Sequence, residues 1–283
     1  MEISQLWRYP VKSMVGETVD SIELDELGIV GDRTWAARDL ERGGIRGAKK
    51  IGPLMQLAAH DLGDGEVEIT LPDGSTVRTT DADVNERVSS AIGHPVQLER
   101  LRPADDLDHY RRGAPDSDDV VAELRGVFGR EEDEPLPDFS VFPPIIAEYE
   151  SPPGTYYDVF PLMIMTTAAL AALARGLPDS NVDIRRFRPS FVVDTGDDGA
   201  EASTPGHPEF DWSGRRATLG TATIEFGAPC PRCVMVTREI DADIPADRAV
   251  LRHIVRDLHQ DLGIYATIVT PGTVNVGDRI ELR

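Results

Sequence analysis

Both cysteines of this 283-residue chain, Cys230 and Cys233, lie within the segment APCPRCVMVT. Their C-x-x-C spacing fits three chemistries: a redox-active dithiol, half of a zinc site, or one reactive thiolate beside an inert neighbour. A zinc ribbon needs a second cysteine pair or two suitably spaced histidines, and the sequence offers neither. Two cysteines that pack only as small apolar groups are a fourth interpretation.

The residues that follow Cys233 bear on the dithiol interpretation. A thioredoxin-like dithiol stands at the start of a helix beside a βαβ unit. The segment CVMVTREI is instead rich in β-favouring residues and predicts a strand. This weakens the dithiol interpretation, and at this level a lone thiolate, a dithiol and two packed cysteines all stay open.

Charge and composition exclude several classes of protein. The chain has 29 Lys and Arg against 50 Asp and Glu, a net charge of −21, so its surface repels nucleic-acid phosphates. No apolar stretch approaches the roughly 18 residues of a membrane span, and MEISQLWRYP lacks the features of a secretory signal. Dinucleotide-binding, P-loop and HExxH motifs are absent. We therefore expect a cytoplasmic protein that binds no nucleic acid and has no membrane span.

The elements that must position the cysteines are mostly short strands. EVEITLPDGSTVRTT and YATIVTPGTVNVGDRIELR predict hairpins, whereas DADVNERVSSAIG and ADRAVLRHIVRDLHQDLG have apolar residues at helical spacing. A further helix in MTTAALAALARGLP begins at an N-cap of Thr166 or Thr167 and ends near Gly176. Many short strands with few helices predict a strand-rich α+β fold with a barrel-like arrangement rather than a Rossmann sheet.

Composition changes between residues 104 and 138, where twelve Asp and Glu accompany four Arg without clear periodicity. This stretch leads into the proline-rich run EPLPDFSVFPP, which is typical of a long connection or insertion. We interpret the segment as a solvated acidic loop. A docking surface for a basic partner is the alternative interpretation.

Five segments occur in order along the chain: LWRYPVKS, GIVGDRTW, RRFRPSFVV, CPRCVMVT and TVNVGDRIEL. In combination they resemble proteins with an N-terminal MOSC β-barrel region followed by a MOSC domain, similar to the mitochondrial amidoxime-reducing component and its bacterial counterparts. The resemblance covers nearly the whole chain, apart from residues 104–150 and an insertion near 196–209. It implies a β-barrel-like region over 1–102, an acidic linker or insertion over 103–150, and a MOSC β-barrel domain with a few helices over 151–283.

The resemblance also implies a molybdenum cofactor, Mo-molybdopterin; pyridoxal phosphate is not expected. In that family the cysteine after an arginine ligates molybdenum, and the matching residue is Cys233, preceded by Arg232. A thiolate is a soft ligand that suits this metal, which leaves Cys230 as a bystander. The residues matched to cofactor contacts are Lys12, Ser13, Arg33, Arg188, Arg232 and Tyr265, and the predicted helix N-terminus adds Thr166 and Thr167 as phosphate contacts.

The activity implied by the resemblance is that of an oxidoreductase, with Cys233 as catalytic residue and metal ligand, that reduces N-hydroxylated small molecules such as amidoximes. No ferredoxin-like segment is fused, so electrons would come from a separate ferredoxin-, flavin- or cytochrome-type protein. Pro231 and Ser190 stand where the family often has serine and asparagine, and both changes remove possible hydrogen bonds to the cofactor. The alternatives are a sulfur-carrier or cofactor-delivery protein with a Cys233 persulfide, and a non-enzymatic binding module.

Overall fold

The computed structural model describes all 283 residues, which form five α-helices and fifteen β-strands. The strands are β1 Glu2–Arg8, β2 Glu17–Val19, β3 Ser21–Leu24, β4 Trp35–Asp39, β5 Ala58–Gly63, β6 Glu66–Thr70, β7 Thr76–Arg78, β8 Val96–Arg100, β9 Leu162–Thr166, β10 Phe191–Asp194, β11 Arg216–Leu219, β12 Ala222–Pro231, β13 Asp261–Thr270, β14 Gly272–Asn275 and β15 Ile280–Leu282. The helices are α1 Val84–Ile92, α2 Leu107–Tyr110, α3 Val120–Phe128, α4 Thr167–Gly176 and α5 Arg248–Asp257. The predicted strand-rich α+β class is confirmed.

The largest sheet has eight strands in the order β15-β11-β12-β13-β9-β10-β1-β2. All neighbours in it are antiparallel except β9 and β10, which run parallel and are connected through helix α4. Strands β15 and β2 form the two edges and do not pair with each other. The continuous strand ladders do not close into a barrel, but an antiparallel bridge between Glu2 and Arg279 joins β1 to the residue before β15.

Strands from the two ends of the chain pair with each other. Strand β1 joins the eight-stranded sheet beside β10, with Ile3 opposite Val193. Strand β3 pairs with β14, with Ile22 opposite Val274. All four residues are buried in one apolar core, so the N-terminal and C-terminal regions are held together by shared strands and shared packing.

The C-terminal segment does not form the predicted hairpin, because its last two strands join different sheets. Strand β14 pairs with β3, whereas β15 pairs with β11. This division buries Val274 and Ile280 in the same core, whereas an isolated two-stranded hairpin would leave them half exposed. Residues 1–102 and 151–283 share that core, and the three-part division of the chain stays a prediction.

Smaller sheets and helix α1 build a second core from the N-terminal region. Strand β4 pairs with β8, and β5, β6 and β7 form a three-stranded sheet. Strands β6 and β7 are the predicted hairpin, and Val67, Ile69 and Leu71 are buried on one face, as is the predicted apolar face of α1. Met235 packs into this core as well, which anchors the segment after Cys233 to the N-terminal region.

Helices α4 and α5 follow the predicted positions closely. Helix α4 has Thr166 as its N-cap, with Oγ1 accepting a hydrogen bond from the Ala169 N–H at 3.0 Å, and it ends at Gly176. Helix α5 buries an apolar stripe that includes Leu251 and Ile254. Each of these two helices has ten residues, and no helix of the protein has the length and apolar character needed to span a membrane.

The acidic segment contains helices and is not a loop alone. Asp119 caps helix α3 by accepting hydrogen bonds from the N–H groups of Val121 and Ala122. None of the residues of α3 is buried, since its apolar side faces a cavity rather than a core. The residues of α3 therefore do not show the burial pattern of a helix that packs against a core. At the end of the segment, Glu134 pairs with Arg252 on α5.

The segment after Cys233 is a short 3-10 helix, Val234–Thr237, and the predicted strand is wrong. Strand β12 ends just before it, at Pro231, and its pairing with β13 is irregular around Pro229 and Pro231. Neither proline has an N–H group to donate to the neighbouring strand. The β-branched residues that follow cannot continue the ladder once the chain has left the sheet.

Candidate functional site

A cavity of about 770 Å³ lies between the N-terminal loops, the acidic segment and the turn that carries Cys233. We call it the main cavity. It brings together seven of the nine residues predicted for the site: Lys12, Ser13, Arg33, Arg188, Arg232, Cys233 and Tyr265. These residues come from both ends of the chain, so only the folded structure unites them.

A tight turn after β1 positions Lys12 and Ser13. Ser13 has a φ of 70°, in the left-handed region that is uncommon for residues other than glycine. Its Oγ accepts a hydrogen bond from the Ala48 N–H at 2.9 Å. Gly47 makes room for this contact, since a Cβ there would lie 2.6 Å from Ser13 Oγ. The serine hydroxyl therefore fixes the loop that carries Lys49.

Lys12 is buried and already has three hydrogen-bond acceptors. Its Nζ lies 2.6 Å from Asp158 Oδ1, 2.8 Å from the Tyr156 carbonyl oxygen and 3.3 Å from Ser151 Oγ. An ammonium group has three N–H donors, so all of them are used within the protein. Burial lowers the pKa of Lys12, and the Asp158 carboxylate opposes this shift. Lys12 thus orders Asp158 and has no donor left for a ligand.

Asp158 joins Lys12 to a second lysine, Lys49, which the sequence analysis did not single out. Asp158 Oδ2 lies 2.8 Å from Lys49 Nζ. Burial would raise the pKa of Asp158, but the two ammonium groups hold it well below its usual range. Lys49 keeps N–H donors free at the cavity. The sequence carries no local signal for this pair, because its members are distant along the chain and lie outside any recognised motif.

Arg33 is held in one orientation by a carboxylate and two aromatic rings. Its Nη1 pairs with Asp32, whose Oδ1 in turn accepts a hydrogen bond from the Tyr9 N–H at 2.6 Å. Its Cζ lies 5.1 Å from the ring centroid of Tyr9 and 5.2 Å from that of Tyr157. The planar guanidinium is therefore preorganised at the cavity wall, with donors left over for a ligand.

Arg188 has a buried donor without a partner. Its guanidinium stacks on Tyr9 at 4.2 Å, and its Nη1 donates to the Met14 carbonyl oxygen. Its Nη2 is buried and makes no hydrogen bond. Burial, together with the neighbouring Arg33, lowers the pKa of Arg188 to about 10. An unpaired buried N–H of a cation is costly, and an anionic ligand in the cavity would relieve that cost.

Arg232 forms a hydrogen bond with Cys230. Arg232 Nη1 donates to Cys230 Sγ at 3.3 Å, and its Nη2 donates to the Phe187 carbonyl oxygen at 2.7 Å. Burial raises the pKa of the Cys230 thiol, and Arg232 opposes this shift. Cys230 also packs in an apolar core cluster with Phe187. This cysteine is thus a buried thiol, and Arg232 is occupied in holding the turn before Cys233.

Cys233 is a free, half-buried cysteine that lines the main cavity at the start of the 3-10 helix. Burial acts to lower the pKa of four nearby cations, and the charge of a Cys233 thiolate acts to raise it. The pKa of Lys49 and of Arg232 is raised overall, whereas that of Arg130 and of Arg238 is lowered. Such electropositive surroundings are typical of cysteines that react or bind metals as thiolates.

Tyr265, on strand β13, packs against Phe160 with ring centroids 4.6 Å apart. Burial raises the pKa of its hydroxyl well above the usual range, and the nearby Cys230 adds to this shift. The hydroxyl is therefore protonated at neutral pH and can donate a hydrogen bond. Phe160 was not predicted as part of the site, because an isolated aromatic residue after a loop carries no functional signal.

Thr166 and Thr167 lie apart from the main cavity, in contrast to the expectation that they contact a phosphate. Thr166 Oγ1 caps helix α4 through Ala169 and donates to Glu209 Oε2 at 2.8 Å. Thr167 Oγ1 lies 3.5 Å from Asp194 Oδ1. Both hydroxyls face carboxylates, which would repel a phosphate group. Thr166 is the N-cap of helix α4, and Thr167 is its first residue.

The acidic segment supplies one apolar side of the main cavity, which the sequence analysis missed. Phe128 and Phe139 meet at a centroid distance of 5.6 Å, and Phe139 and Phe142 at 6.2 Å. Leu124 and Val127 of helix α3 line the cavity beside them. We call these five residues the apolar wall. Because acidic residues surround these five residues in the sequence, their spacing shows no recognisable apolar pattern.

Comparison with known families shows two matching domains. A family model of the MOSC N-terminal beta barrel domain matches residues 1–110, and a family model of the MOSC domain matches residues 153–281. Together the two matches cover most of the chain, and they occur in the order that the sequence motifs imply.

Curated relatives match along almost the whole chain. Mitochondrial amidoxime reducing component 2 of Bos taurus is 23% identical over 297 residues, which cover 98% of this chain and 82% of the relative. Mitochondrial amidoxime-reducing component 1 of Homo sapiens is 24% identical over 309 residues, which cover 99% and 82%.

Solved structures of two bacterial proteins match this chain at low TM-scores. The YUAD protein of Bacillus subtilis matches with a TM-score of 0.44 at 12% identity, over 99% of this chain and 94% of that protein. YiiM of Geobacillus stearothermophilus matches with a TM-score of 0.31 at 13% identity, over 44% and 54%. The two domain matches show that this chain has a MOSC N-terminal beta barrel domain followed by a MOSC domain.

Proposed function

We propose that this protein is a molybdenum-cofactor-binding oxidoreductase that reduces N-hydroxylated small molecules. The observation that carries the proposal is that a free, half-buried thiol, Cys233, and an unpaired buried guanidinium, on Arg188, line the same cavity. The names of the bovine and human relatives describe the reduction of amidoximes, which supports the class of reaction.

The side chains of the main cavity suit an anionic cofactor that carries a metal. Arg188 Nη2 has no partner, while Arg33 and Lys49 each make one ion pair and keep further donors. These groups would bind the phosphate and pterin oxygens, and Cys233 would be the metal ligand. No three His, Cys, Asp or Glu side chains cluster into a metal site, which fits a metal whose other ligands come with the cofactor. When bound, the molybdenum cofactor supplies two-electron oxygen-transfer chemistry.

Other predicted residues act through the protein rather than by direct contact. Lys12 holds Asp158 in place, and Ser13 holds the loop that carries Lys49. Arg232 fixes the turn before Cys233 through its contacts with Cys230 and with a backbone carbonyl. We therefore assign positioning roles to Lys12, Ser13 and Arg232. Tyr265 keeps its proton at neutral pH, and its hydroxyl interacts with the Cys230 thiol.

The proposed reaction breaks the N–O bond of the substrate. With two electrons and two protons it yields the reduced nitrogen compound and one water molecule. The electrons come from a separate donor protein of the ferredoxin, flavin or cytochrome type, and we place both proteins in the cytoplasm. The apolar wall would bind the apolar part of the substrate, because its aromatic side chains exclude water from that side of the cavity.

Elemental analysis for molybdenum and fluorescence of the oxidised pterin test the proposal on protein made in a host that synthesises the cofactor. We expect stoichiometric amounts of both, and reduction of an aromatic amidoxime when a reductant is supplied. Protein that contains neither molybdenum nor pterin, and that does not reduce the amidoxime, would contradict the proposal.

A sulfur-carrier or cofactor-delivery protein is the alternative, favoured by the position of Cys233 among cations that would stabilise a charged persulfide. Mass spectrometry of the native protein distinguishes it. An added mass of about 32 Da on Cys233 without stoichiometric molybdenum would replace the oxidoreductase proposal.

A further inference from the structure

A second cavity, of about 610 Å³, lies behind the turn that carries Cys233. Val234 and Thr237, at the two ends of the 3-10 helix, line it, whereas Cys233 and Met235 line the main cavity. We call it the arginine cavity, because its lining contains Arg125, Arg130, Arg238, Arg248 and Arg252. None of the predicted site residues lines it.

The positive charges of the arginine cavity are poorly compensated. Arg252 pairs with Glu134 and Glu131, which Arg256 outside the lining shares, but the other four arginines form no ion pair. Glu239 is the only acidic residue in the lining. With one arginine offset by Glu134 and one by Glu239, three of the five positive charges remain in excess. In a chain of net charge −21, with carboxylates available over its whole surface, this excess is unusual.

Several donors of these arginines are buried without a charged partner. Arg130 is only 6% exposed and hydrogen-bonds only to neutral oxygens, among them the carbonyl of Arg232 at 3.0 Å. The Nε atoms of Arg238 and Arg252 are buried and make no hydrogen bond. Buried cationic donors without partners are costly, and an anion in the cavity would remove that cost.

Two glycines keep the arginine cavity open. A Cβ at Gly52 would lie 3.1 Å from Cζ of Arg238 and would displace the guanidinium. Gly129 ends helix α3 with a φ of 63°, and a Cβ there would lie 2.8 Å from a methyl group of Leu251. The volume of the cavity is in the range of small-molecule sites.

We propose that the arginine cavity binds a small polyanion that contains a diphosphate group. Guanidinium groups bind phosphate oxygens through paired N–H donors, and buried arginines are well suited to this. A diphosphate carries about three negative charges near neutral pH, which matches the excess of positive charge. Free pyrophosphate and the diphosphate of a nucleotide offer the same chemistry. This inference does not depend on the proposed reductase activity.

A polyanion at this position would contact side chains that support both sides of the main cavity. Arg130 holds the Arg232 carbonyl, and Arg238 Nη2 donates to the Lys49 carbonyl oxygen at 3.1 Å. The ligand therefore binds to the residues that fix the backbone beside Cys233 and beside Lys49.

Calorimetric titration of the full chain with inorganic pyrophosphate at low salt tests the proposal. Arg248→Gln should weaken binding about tenfold, or about 1.4 kcal/mol, and addition of Arg238→Gln should weaken it further. The side chain of Arg248 is exposed and forms no hydrogen bond or ion pair within the protein, so the single variant should fold normally. Arg215→Gln is the matched control, since Arg215 is exposed, also unpaired and not part of the cavity lining.

Arg33→Gln separates the two cavities, because it removes a cation from the main cavity only. We expect pyrophosphate binding to survive this change. Loss of binding in Arg33→Gln with normal binding in Arg248→Gln would place the anion in the main cavity and overturn the proposal. Equal weakening by Arg215→Gln, or no binding of either pyrophosphate or ATP, would also overturn it.

A parallel titration with ATP identifies the source of the diphosphate. Equal affinity for ATP and pyrophosphate would mean that the phosphates alone are recognised. Tighter binding of ATP would mean that the nucleoside also contacts the cavity, where Val234 and Leu251 provide apolar surface. Both results support the proposal, provided that Arg248→Gln weakens each ligand.

Discussion

The main cavity and the arginine cavity lie on opposite sides of one short helix, Val234–Thr237, and basic side chains line both. In the main cavity, acidic residues meet these cations: Asp32 pairs with Arg33, and Asp158 bridges two lysines. In the arginine cavity only Arg252 is paired. The difference teaches that the number of cations does not reveal what a cavity binds. The number of donors left without a protein partner is the more informative quantity.

Among the variants that test this difference between the two cavities, Cys233→Ser should have the largest effect. Serine keeps the size of the side chain but removes the soft thiolate, so we expect loss of molybdenum and at least about a hundredfold loss of amidoxime reduction. Cys230→Ser should retain most of both, because that thiol is buried against Arg232. Metal content and turnover, measured on the same samples, check this. Equal losses in the two variants would favour a dithiol, and a change in pyrophosphate binding would mean that the cavities are not separate.

Asp158→Asn tests the charge compensation of the main cavity. It removes the one carboxylate that pairs with Lys12 and Lys49. Leaving the buried Lys12 without a counter-charge should lower the free energy of unfolding by about 2 kcal/mol, less than for a fully buried pair because Asp158 is 41% exposed. Urea unfolding at pH 7 measures the change.

Asp116→Asn is the matched control for that prediction, because the Asp116 side chain is similarly exposed, at 43%. Two of its partners have a second carboxylate: Arg46 also pairs with Asp39, and Lys50 also pairs with Glu123. The third partner, Arg42, is exposed and lies 3.9 Å away. The control should therefore cost less than about 1 kcal/mol. An equal loss of stability in both variants would show that Asp158 has no special role in the cavity.

Arg188→Gln should weaken retention of the molybdenum cofactor about tenfold, or about 1.4 kcal/mol, because the free guanidinium donor is lost. The cofactor-free protein should lose less than about 1 kcal/mol of stability, since removal of the unpaired buried donor offsets part of the loss of the Met14 hydrogen bond and the Tyr9 stacking. Molybdenum content after gel filtration and urea unfolding of cofactor-free protein measure the two effects. A large loss of stability in the cofactor-free variant would assign Arg188 a structural role instead.

Asp261, close to Arg130 of the arginine cavity, should give the free energy of unfolding a smaller, pH-dependent contribution. Burial raises its pKa to about 6, and His259 and Arg130 only partly oppose this. Between about pH 4 and 6 the folded state therefore keeps a proton that the unfolded chain has released. The stabilisation linked to this proton is complete at about pH 4 and is lost as the pH rises through about 6.

Asp261→Asn removes this titration. The free energy of unfolding of the variant, relative to that of the wild type, should therefore increase from pH 4 to pH 7, as measured by urea unfolding at both values. A difference that stays constant with pH would show that Asp261 does not carry the buried charge.

Part of the candidate site could be predicted because its residues lie in motifs that resemble those of a known family. Ser13, Arg33 and Arg188 have φ values of 70°, 49° and 57°, a region that costs energy for residues other than glycine. Each lies in a motif that the sequence analysis recognised: YPVKS, GDR and FRP. The fold maintains these strained turns, and the strained turns bring the side chains to the main cavity.

The rest could not be predicted because it depends on contacts between distant segments. Lys49 and Asp158 form a pair only in the folded chain, and no local pattern connects them. The N-terminus of α4 was predicted correctly, but a helix start does not reveal which way it points, and Thr166 faces Glu209 rather than the main cavity. The strand predicted after Cys233 failed because the prolines before it had already ended the sheet.

The pairing of strands from opposite ends of the chain has a consequence for biosynthesis. Strands β1 and β3 leave the ribosome first, but their partners include β10 and β14. Ile22 therefore cannot pair with Val274 until translation is nearly complete. Contacts at such long sequence separation require a large loop to close before any stabilisation follows, and folding is correspondingly slow. During that interval apolar strand edges are exposed to other nascent chains. Yield in a foreign host should therefore improve at low temperature and with extra chaperone.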